Sequence, residues 1–182
     1  MISIVGIDGL MPALLLVRFS KNIAIVNKEA IICGWNLIKQ KIKKYKTNFI
    51  PIDSEHFSIW SLLNEIEINN HIDLNKLIQN LYITASGGPF RNTPSKNFKN
   101  IKINQATKHP TWKMGKKISI DSATLVNKLF EVIEAQRLFG IDINKILIKI
   151  HPQSYIHSLI KYKSGLIKIC AHEPNMSIPI IN

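Results

Sequence analysis

Asp53-Ser54-Glu55-His56 sets two carboxylates two positions apart, directly after the apolar run Phe49-Ile-Pro-Ile52. In an extended chain, side chains two apart share a face, so both acids can address one ion. Such a pair suits a hard divalent cation, Mg²⁺ or Mn²⁺, which prefers oxygen ligands. A polar loop after a strand has the same composition, so the tetrapeptide alone leaves both readings open. A second group lies further along the chain. At about 100° per residue, Asn127, Lys128 and Glu131 fall in one narrow helical sector. Glu131 offers a third carboxylate, with Asn127 and Lys128 beside it to hold an oxyanion. The alternative is a solvated face with an i,i+3 Lys–Glu pair, opposite a core face of Leu125, Leu129, Val132 and Ile133.

Two further places suit a phosphate. Ser86-Gly87-Gly88 follows an apolar run, and its glycines let backbone N–H groups approach an anion closely. Ser122 is expected at a helix N-terminus, where free N–H groups and the helix dipole favour negative charge. His109, in a basic loop before Pro110, can donate a hydrogen bond to the same anion or simply face solvent. Turns and caps supply all of these features elsewhere, so each is weak alone.

The elements that must position these groups read as α/β. Residues 3–6 and 22–26 are expected as strands, residues 9–19 as helical, 29–45 as a helix and 49–52 as a third strand. Strands alternating with helices argue for a doubly wound parallel sheet. Residues 64–80 read as a helix and a loop, and 81–85 as a strand ending in Ser86-Gly-Gly-Pro89. Residues 91–104 are a polar connection, 108–117 a long exposed loop, and 118–120 a short strand. Asp121 or Ser122 then caps a helix running to Phe139, with Gly140 at the stop position. Residues 145–150 alternate as a strand that His151-Pro152 ends. There is no internal repeat.

Composition narrows the class. Among 182 residues, 46% are hydrophobic and 20% charged, which excludes a disordered chain and allows a sizeable core. The longest apolar run, residues 10–17, is interrupted by Pro12 and is far short of the roughly 20 residues a membrane span needs. No signal peptide is legible at the start. The two cysteines, Cys33 and Cys170, match no metal or redox spacing and fit a reducing compartment. Lys and Arg number 24 against 12 Asp and Glu, a formal charge of +12. The lysines are scattered, and the densest run (residues 39–46) continues a helix with one aromatic residue among them. A solvated helix end explains that run better than a nucleic-acid patch. An anionic small molecule suits the sign of the charge equally well.

In order along the chain stand Asn27-Lys-Glu29, Pro51-Ile-Asp-Ser-Glu-His56, Thr84-Ala-Ser-Gly-Gly-Pro-Phe90, Lys108-His-Pro-Thr-Trp-Lys-Met-Gly115, and Ile120-Asp-Ser-Ala-Thr124 with Asn127-Lys128 and Glu131. His151-Pro-Gln-Ser-Tyr-Ile-His-Ser158 follows them. This series resembles the 1-deoxy-D-xylulose 5-phosphate reductoisomerase family over nearly the whole chain. The resemblance implies a metal-dependent rearrangement of 1-deoxy-D-xylulose 5-phosphate, with NADPH reduction to 2-C-methyl-D-erythritol 4-phosphate, in non-mevalonate isoprenoid biosynthesis. It implies that Asp53, Glu55 and Glu131 are the metal carboxylates and, with Lys28, the catalytic set. Lys28 and Ser54 hold the substrate's polar backbone on this basis. Ser86, His109, Ser122, Asn127 and Lys128 bind substrate beside Glu55 and Glu131, several of them at its phosphate. Trp112 and Met114 belong to a lid, Gly115 contacts the cofactor, and Asn27 and Glu29 lie beside the nicotinamide end of NADPH. His151 and His157 fall in the family's His-Pro-Gln-Ser segment with no role assigned.

The implied architecture is the C-terminal part of a Rossmann-like NADPH-binding domain (residues 1–50), followed by an α/β (α+β) catalytic domain (residues 51–182). The implied protein is a homodimer acting on a small sugar phosphate in a bacterial cytoplasm or a plastid, with no nucleic-acid or membrane partner. Two departures stand out. No G-x-G-x-x-G-like turn is present, since Gly6-Ile-Asp-Gly9 has the wrong spacing. The expectation is therefore a chain that starts inside the nucleotide-binding domain and stops before the family's C-terminal helical domain. Leu129-Phe130 also stands where the family has Gly-Leu. A non-catalytic remnant of the enzyme and a basic nucleic-acid-binding protein are the competing readings.

Overall fold

A computed structural model describes residues 1–67, 73–112 and 115–181. The chain begins with α1 (Leu10–Leu16), β1 (Asn22–Ile25), α2 (Lys28–Tyr45), β2 (Asn48–Pro51) and α3 (Ser54–Glu67). Short α4 (Leu74–Leu77) leads into β3 (Ile78–Ala85), and α5 (Ile103–Ala106), α6 (Lys116–Ala123) and α7 (Val126–Phe139) follow. The chain then forms β4 (Ile146–Ile150), β5 (Ile156–Tyr162), β6 (Ile167–Ala171) and α8 (Ser177–Ile181). Among the described residues, no helix is long and apolar enough to cross a membrane.

Two apolar cores organise these elements. Ile2, Ala13, Leu14, Val17, Ile23, Ile25, Ala30, Ile31, Trp35 and Ile38 form the first, between α1, α2 and the parallel pair β1–β2. The second is built from Ile59 and Leu63 of α3, Ile78, Leu81 and Ile83 of β3, Val132 and Ala135 of α7, and Ile160 of β5. Burial of this kind stabilises by about 25 cal/mol per Å² of apolar surface. Ile59 and Leu63 bring α3, and Val132 and Ala135 bring α7, into the core of the mixed sheet, and Lys128 in the first turn of α7 reaches Glu55 in the first turn of α3.

The sheets differ from the doubly wound parallel expectation. β1 and β2 are parallel, but the second sheet, in the order β4-β3-β5-β6, is mixed. β3 pairs parallel with β4 and antiparallel with β5, and β5 pairs antiparallel with β6. The β5–β6 hairpin was not expected, although alternation through Ile160-Lys-Tyr162 and Ile167-Lys-Ile169 flanks a Ser164-Gly165 turn. Gly165 takes a φ of 89°, which a glycine adopts without strain.

Three local expectations are also corrected. Residues 3–6 form no strand; just before them, Ile2 makes an isolated parallel bridge to Ile25. Residues 118–120 are helical, inside α6, where the Ser119 hydroxyl donates to Gly115 O at 3.0 Å. Three residues of β-branched alternation are too short a signal to outweigh that tertiary setting. The helix expected from Asp121 or Ser122 is two helices, broken at Leu125, which has a left-handed φ of 61°. Ser122 thus sits in the last turn of α6 and not at a helix N-terminus.

Candidate active site

Asp53 precedes the first residue of α3, and Glu55 lies in its first turn. The two acids therefore converge around a helix start and not along a strand. Glu55 N donates to Asp53 Oδ1 at 3.2 Å, so the segment folds back on its own carboxylate. Glu131 reaches the same place from the second turn of α7. One oxygen from each of Asp53, Glu55 and Glu131 lies within 4.8 Å of the others.

Helix α7 inverts the usual burial pattern. Lys128 and Glu131 are 5% and 2% exposed, while Leu129 is 53% exposed. Val132 joins the core as expected, but Leu125 and Leu129 do not. The charged sector is the inner face, contrary to the solvated alternative. Two lysines make that burial possible. Lys28, the first residue of α2, pairs with Asp53 and lies 3.3 Å from Glu131 Oε1. Lys128 donates to Glu55 Oε1 at 2.7 Å and pairs with Glu131 Oε2. Asn127 donates to Glu131 Oε1 at 2.5 Å, and the Ser54 hydroxyl to Glu55 Oε2 at 2.5 Å.

Sequence reasoning missed the back of this cluster. His56 is wholly buried, with Nδ1 3.1 Å from Asp53 Oδ1 and 3.6 Å from Glu134 Oε2. Its Nε2 donates to the main-chain carbonyl of Glu131 at 2.9 Å, tying α3 to α7. Glu134 lies one turn beyond Glu131, on the same sector, and is 2% exposed. That i+3 spacing was a usable signal; the burial was not visible.

The charges shift one another. Burial would raise Asp53, but the Lys28 ammonium and His56 outweigh it and hold the carboxyl well below the usual range. Burial and the Glu55 carboxylate raise Glu131, against the two lysines. Burial lifts Glu134 to about 7, and His56 and Lys28 oppose it. For His56, burial acts to lower the pKa, yet Glu134 and Asp53 drive it up to about 9. Burial likewise acts to lower Lys28 and Lys128, and their carboxylate partners push both above the ordinary lysine value.

Lys28, Asp53, Ser54, Glu55, Ser86, His109, Trp112, Ser122, Asn127, Lys128 and Glu131 all line one cavity of about 220 Å³. At its far wall, His109 Nδ1 accepts from the amides of Thr111 and Trp112 at 3.2 and 2.9 Å. Its proton must then sit on Nε2, which meets Ser86 Oγ at 2.9 Å. Burial, with Arg91 and Lys128, lowers the His109 pKa and favours this neutral donor form. Gly88 has a φ of 68°, and a Cβ there would stand 2.8 Å from Ser122 O. Only glycine lets the Ser86-Gly-Gly turn close against the end of α6. Met114 lies outside the described residues.

Asn27, Glu29 and Gly115 line an adjoining cavity of about 280 Å³, which shares Lys28 and Asn127 with the first. Asn27 Nδ2 donates to Ile4 O and Gly6 O at 2.5 and 2.6 Å, leaving its buried Oδ1 without a partner. Glu29 is held by Lys117 at 3.0 Å.

Residues 49–139 match the profile of the 1-deoxy-D-xylulose 5-phosphate reductoisomerase C-terminal domain. The 1-deoxy-D-xylulose 5-phosphate reductoisomerase of Pelagibacter ubique is 56% identical over 182 residues, all of this chain and 45% of that protein. That of a Sulfurihydrogenibium species is 46% identical over 178 residues, 98% of this chain and 44% of its own length. A crystal structure of DOX-P reductoisomerase with NADPH, fosmidomycin and magnesium superposes with a TM-score of 0.87 at 37% identity, covering 98% of this chain and 45% of that one. The Zymomonas mobilis enzyme in complex with NADPH gives 0.81 at 38% identity, covering 99% and 44%. The chain thus spans a little under half the length of these relatives. The matched profile, the identities and the shared backbone agree: the chain belongs to the 1-deoxy-D-xylulose 5-phosphate reductoisomerase family.

Proposed function

We propose that this chain carries the metal and sugar-phosphate site of a 1-deoxy-D-xylulose 5-phosphate reductoisomerase, which rearranges that substrate and reduces it with NADPH to 2-C-methyl-D-erythritol 4-phosphate. The observation that carries the proposal is the convergence of Asp53, Glu55 and Glu131 in the wall of one cavity, with an oxygen of each within 4.8 Å of the others. Their all-carboxylate donor set fits Mg²⁺ or Mn²⁺. The second cavity supports the cofactor assignment, because the unpartnered Asn27 Oδ1 can accept from the carboxamide of a nicotinamide. In this reading residues 1–50 are the end of a Rossmann-like cofactor domain and residues 51–182 belong to the catalytic domain. The two separate cores are consistent with that division. Homodimerisation is part of the same family reading.

The roles in this reading are those the family resemblance implies, and the positions of the described residues support them. When bound, the metal supplies a Lewis acid that stabilises negative charge on the sugar oxygens, and NADPH supplies the hydride. Asp53, Glu55 and Glu131 hold the ion, and Lys28 and Lys128 oppose the protonation of the buried acids. Lys28 also stands at the boundary of the two cavities, where it can hold the sugar's polar backbone with Ser54. Ser86, His109, Ser122, Asn127 and Lys128 form a polar wall for the phosphate, with neutral His109 donating through Nε2. Anchoring that remote end lets binding energy orient the reacting carbons. Trp112, with Met114, closes over the ligand and excludes water.

The test measures Mn²⁺ binding by electron paramagnetic resonance, and metal-dependent NADPH oxidation with 1-deoxy-D-xylulose 5-phosphate, on the purified 182-residue chain. One Mn²⁺ site is expected, and Glu131→Gln is expected to abolish it and any turnover while leaving the circular dichroism spectrum unchanged. Undiminished Mn²⁺ affinity in that variant would remove Glu131 from the ligand set.

A further inference from the structure

We infer that His172 is a positioning residue for the sugar-phosphate cavity, acting as the platform that fixes the ring of His157 and, through it, the lid residue Trp112. The ligand part of this inference rests on the function proposed above; the platform part rests on ring geometry alone.

Four rings run in series from the lid to the helix that carries Glu55. Trp112 meets His157 edge-on, with centroids 6.2 Å apart and planes at 69°. His157 stacks on His172 at 3.8 Å and 15°. Phe57 of α3 then meets His172 edge-on at 6.3 Å and 66°. His157 is 2% exposed and lines the cavity, whereas His172 is not a lining residue. Any influence of His172 on the ligand therefore passes through its neighbour.

The backbone on both sides of the stack is pinned. His157 lies in β5, and the amide of His172, just beyond β6, donates to Tyr155 O at 2.9 Å. The rings are held as well. His172 Nδ1 lies 2.7 Å from Glu173 O, and a carbonyl can only accept, so Nδ1 carries the proton. Its Nε2 is buried with no hydrogen-bond partner. His157 Nε2 faces His172 O at 3.3 Å and donates to it. His172 thus offers two contacts to His157, a ring face and a carbonyl. Without that face, His157 keeps only its hydrogen bond to the carbonyl, its ring is held less firmly, and the seat of Trp112 loosens.

His172→Ala and His172→Phe in the full 182-residue chain test the inference, with Trp112→Phe as the fluorescence reference that isolates Trp112. His172→Ala is expected to increase acrylamide quenching of Trp112. It should also weaken binding of 1-deoxy-D-xylulose 5-phosphate in the presence of Mn²⁺ by about 2- to 10-fold, the worth of one ring pair. Mn²⁺ affinity should not change, and His172→Phe, which restores a flat ring, should recover both readouts. Unaltered Trp112 quenching in His172→Ala overturns the inference. Should the alanine variant not fold, His172→Leu keeps the bulk without a ring; wild-type quenching there overturns the inference and increased quenching supports it. Failure of the unmodified chain to bind the sugar phosphate would count against the proposed function, while the ligand-free quenching still decides the platform.

Discussion

His56 braces two of the three carboxylate residues, Asp53 and Glu131, without being one of the three. It bridges Asp53 and the carbonyl of Glu131, so it sets the spacing between acids delivered by two different helices. Its proton also links stability to pH. His56 is raised to about 9 and Glu134 to about 7, so the folded chain binds more protons than the unfolded one between the ordinary and shifted values. Stability from His56 is complete below about 6.5, the unfolded value, and is lost as pH rises through about 9. Thermal unfolding of the metal-free chain is expected to show Tm falling over that interval. His56→Gln should have a lower Tm at pH 6 and a flatter profile above it. A variant profile parallel to the wild type would mean that His56 is not the titrating group.

Helix α7 and the Ser86-Gly-Gly turn carry the element-scale constraints. Because the inner face of α7 is charged, Lys128→Met removes one partner and strands buried carboxylates, a change expected to cost about 3–5 kcal/mol. Leu129→Lys, on the exposed face, should stay within about 0.5 kcal/mol. Urea unfolding of the two variants gives the comparison, and a similar cost for both would contradict the inverted face. Gly88→Ala forces a side chain into a φ of 68° with Cβ 2.8 Å from Ser122 O. A loss of about 1–3 kcal/mol is expected, with weaker sugar-phosphate binding, because the turn can no longer close on α6. Equal unfolding midpoints for Gly88→Ala and the wild type would show that the turn relaxes freely.

At the scale of the molecule, two cores meet where α2 passes α7, and the buried ion cluster crosses that junction through Lys28. A divalent ion held by Asp53, Glu55 and Glu131 would bind only the assembled junction, so it should stabilise the whole fold. At a hundredfold excess over Kd the gain is about 2.7 kcal/mol. Tm is expected to rise with added Mg²⁺ or Mn²⁺, to return with a chelator, and not to move in Glu131→Gln. A metal-induced rise that survives Glu131→Gln would place the ion elsewhere.

Much of the site was legible because its chemistry is local in the sequence. Asp53 and Glu55 announce a paired carboxylate, Asn127, Lys128 and Glu131 a helical sector, and Ser86-Gly87-Gly88 a turn open to an anion. These residue types and their order also carried the family. Position was less legible. The spacing argument brought Asp53 and Glu55 together along a strand, whereas a helix start does so. Ser122 faces the cavity from the end of α6, and the β5–β6 hairpin went unread. The reason in each case is that burial, helix breaks and strand pairing answer to contacts made across the fold. Leu129 outside and Lys128 inside cannot be inferred from hydropathy, since the carboxylates that make the lysine tolerable are 73 and 3 residues away. The parts played by His56 and His172, and the burial of Glu134, became visible only through such contacts. Residue types and their order fixed which functional groups the chain can offer. Contacts across the fold chose which of them are desolvated beside one another, and desolvation is what gives those groups their strength.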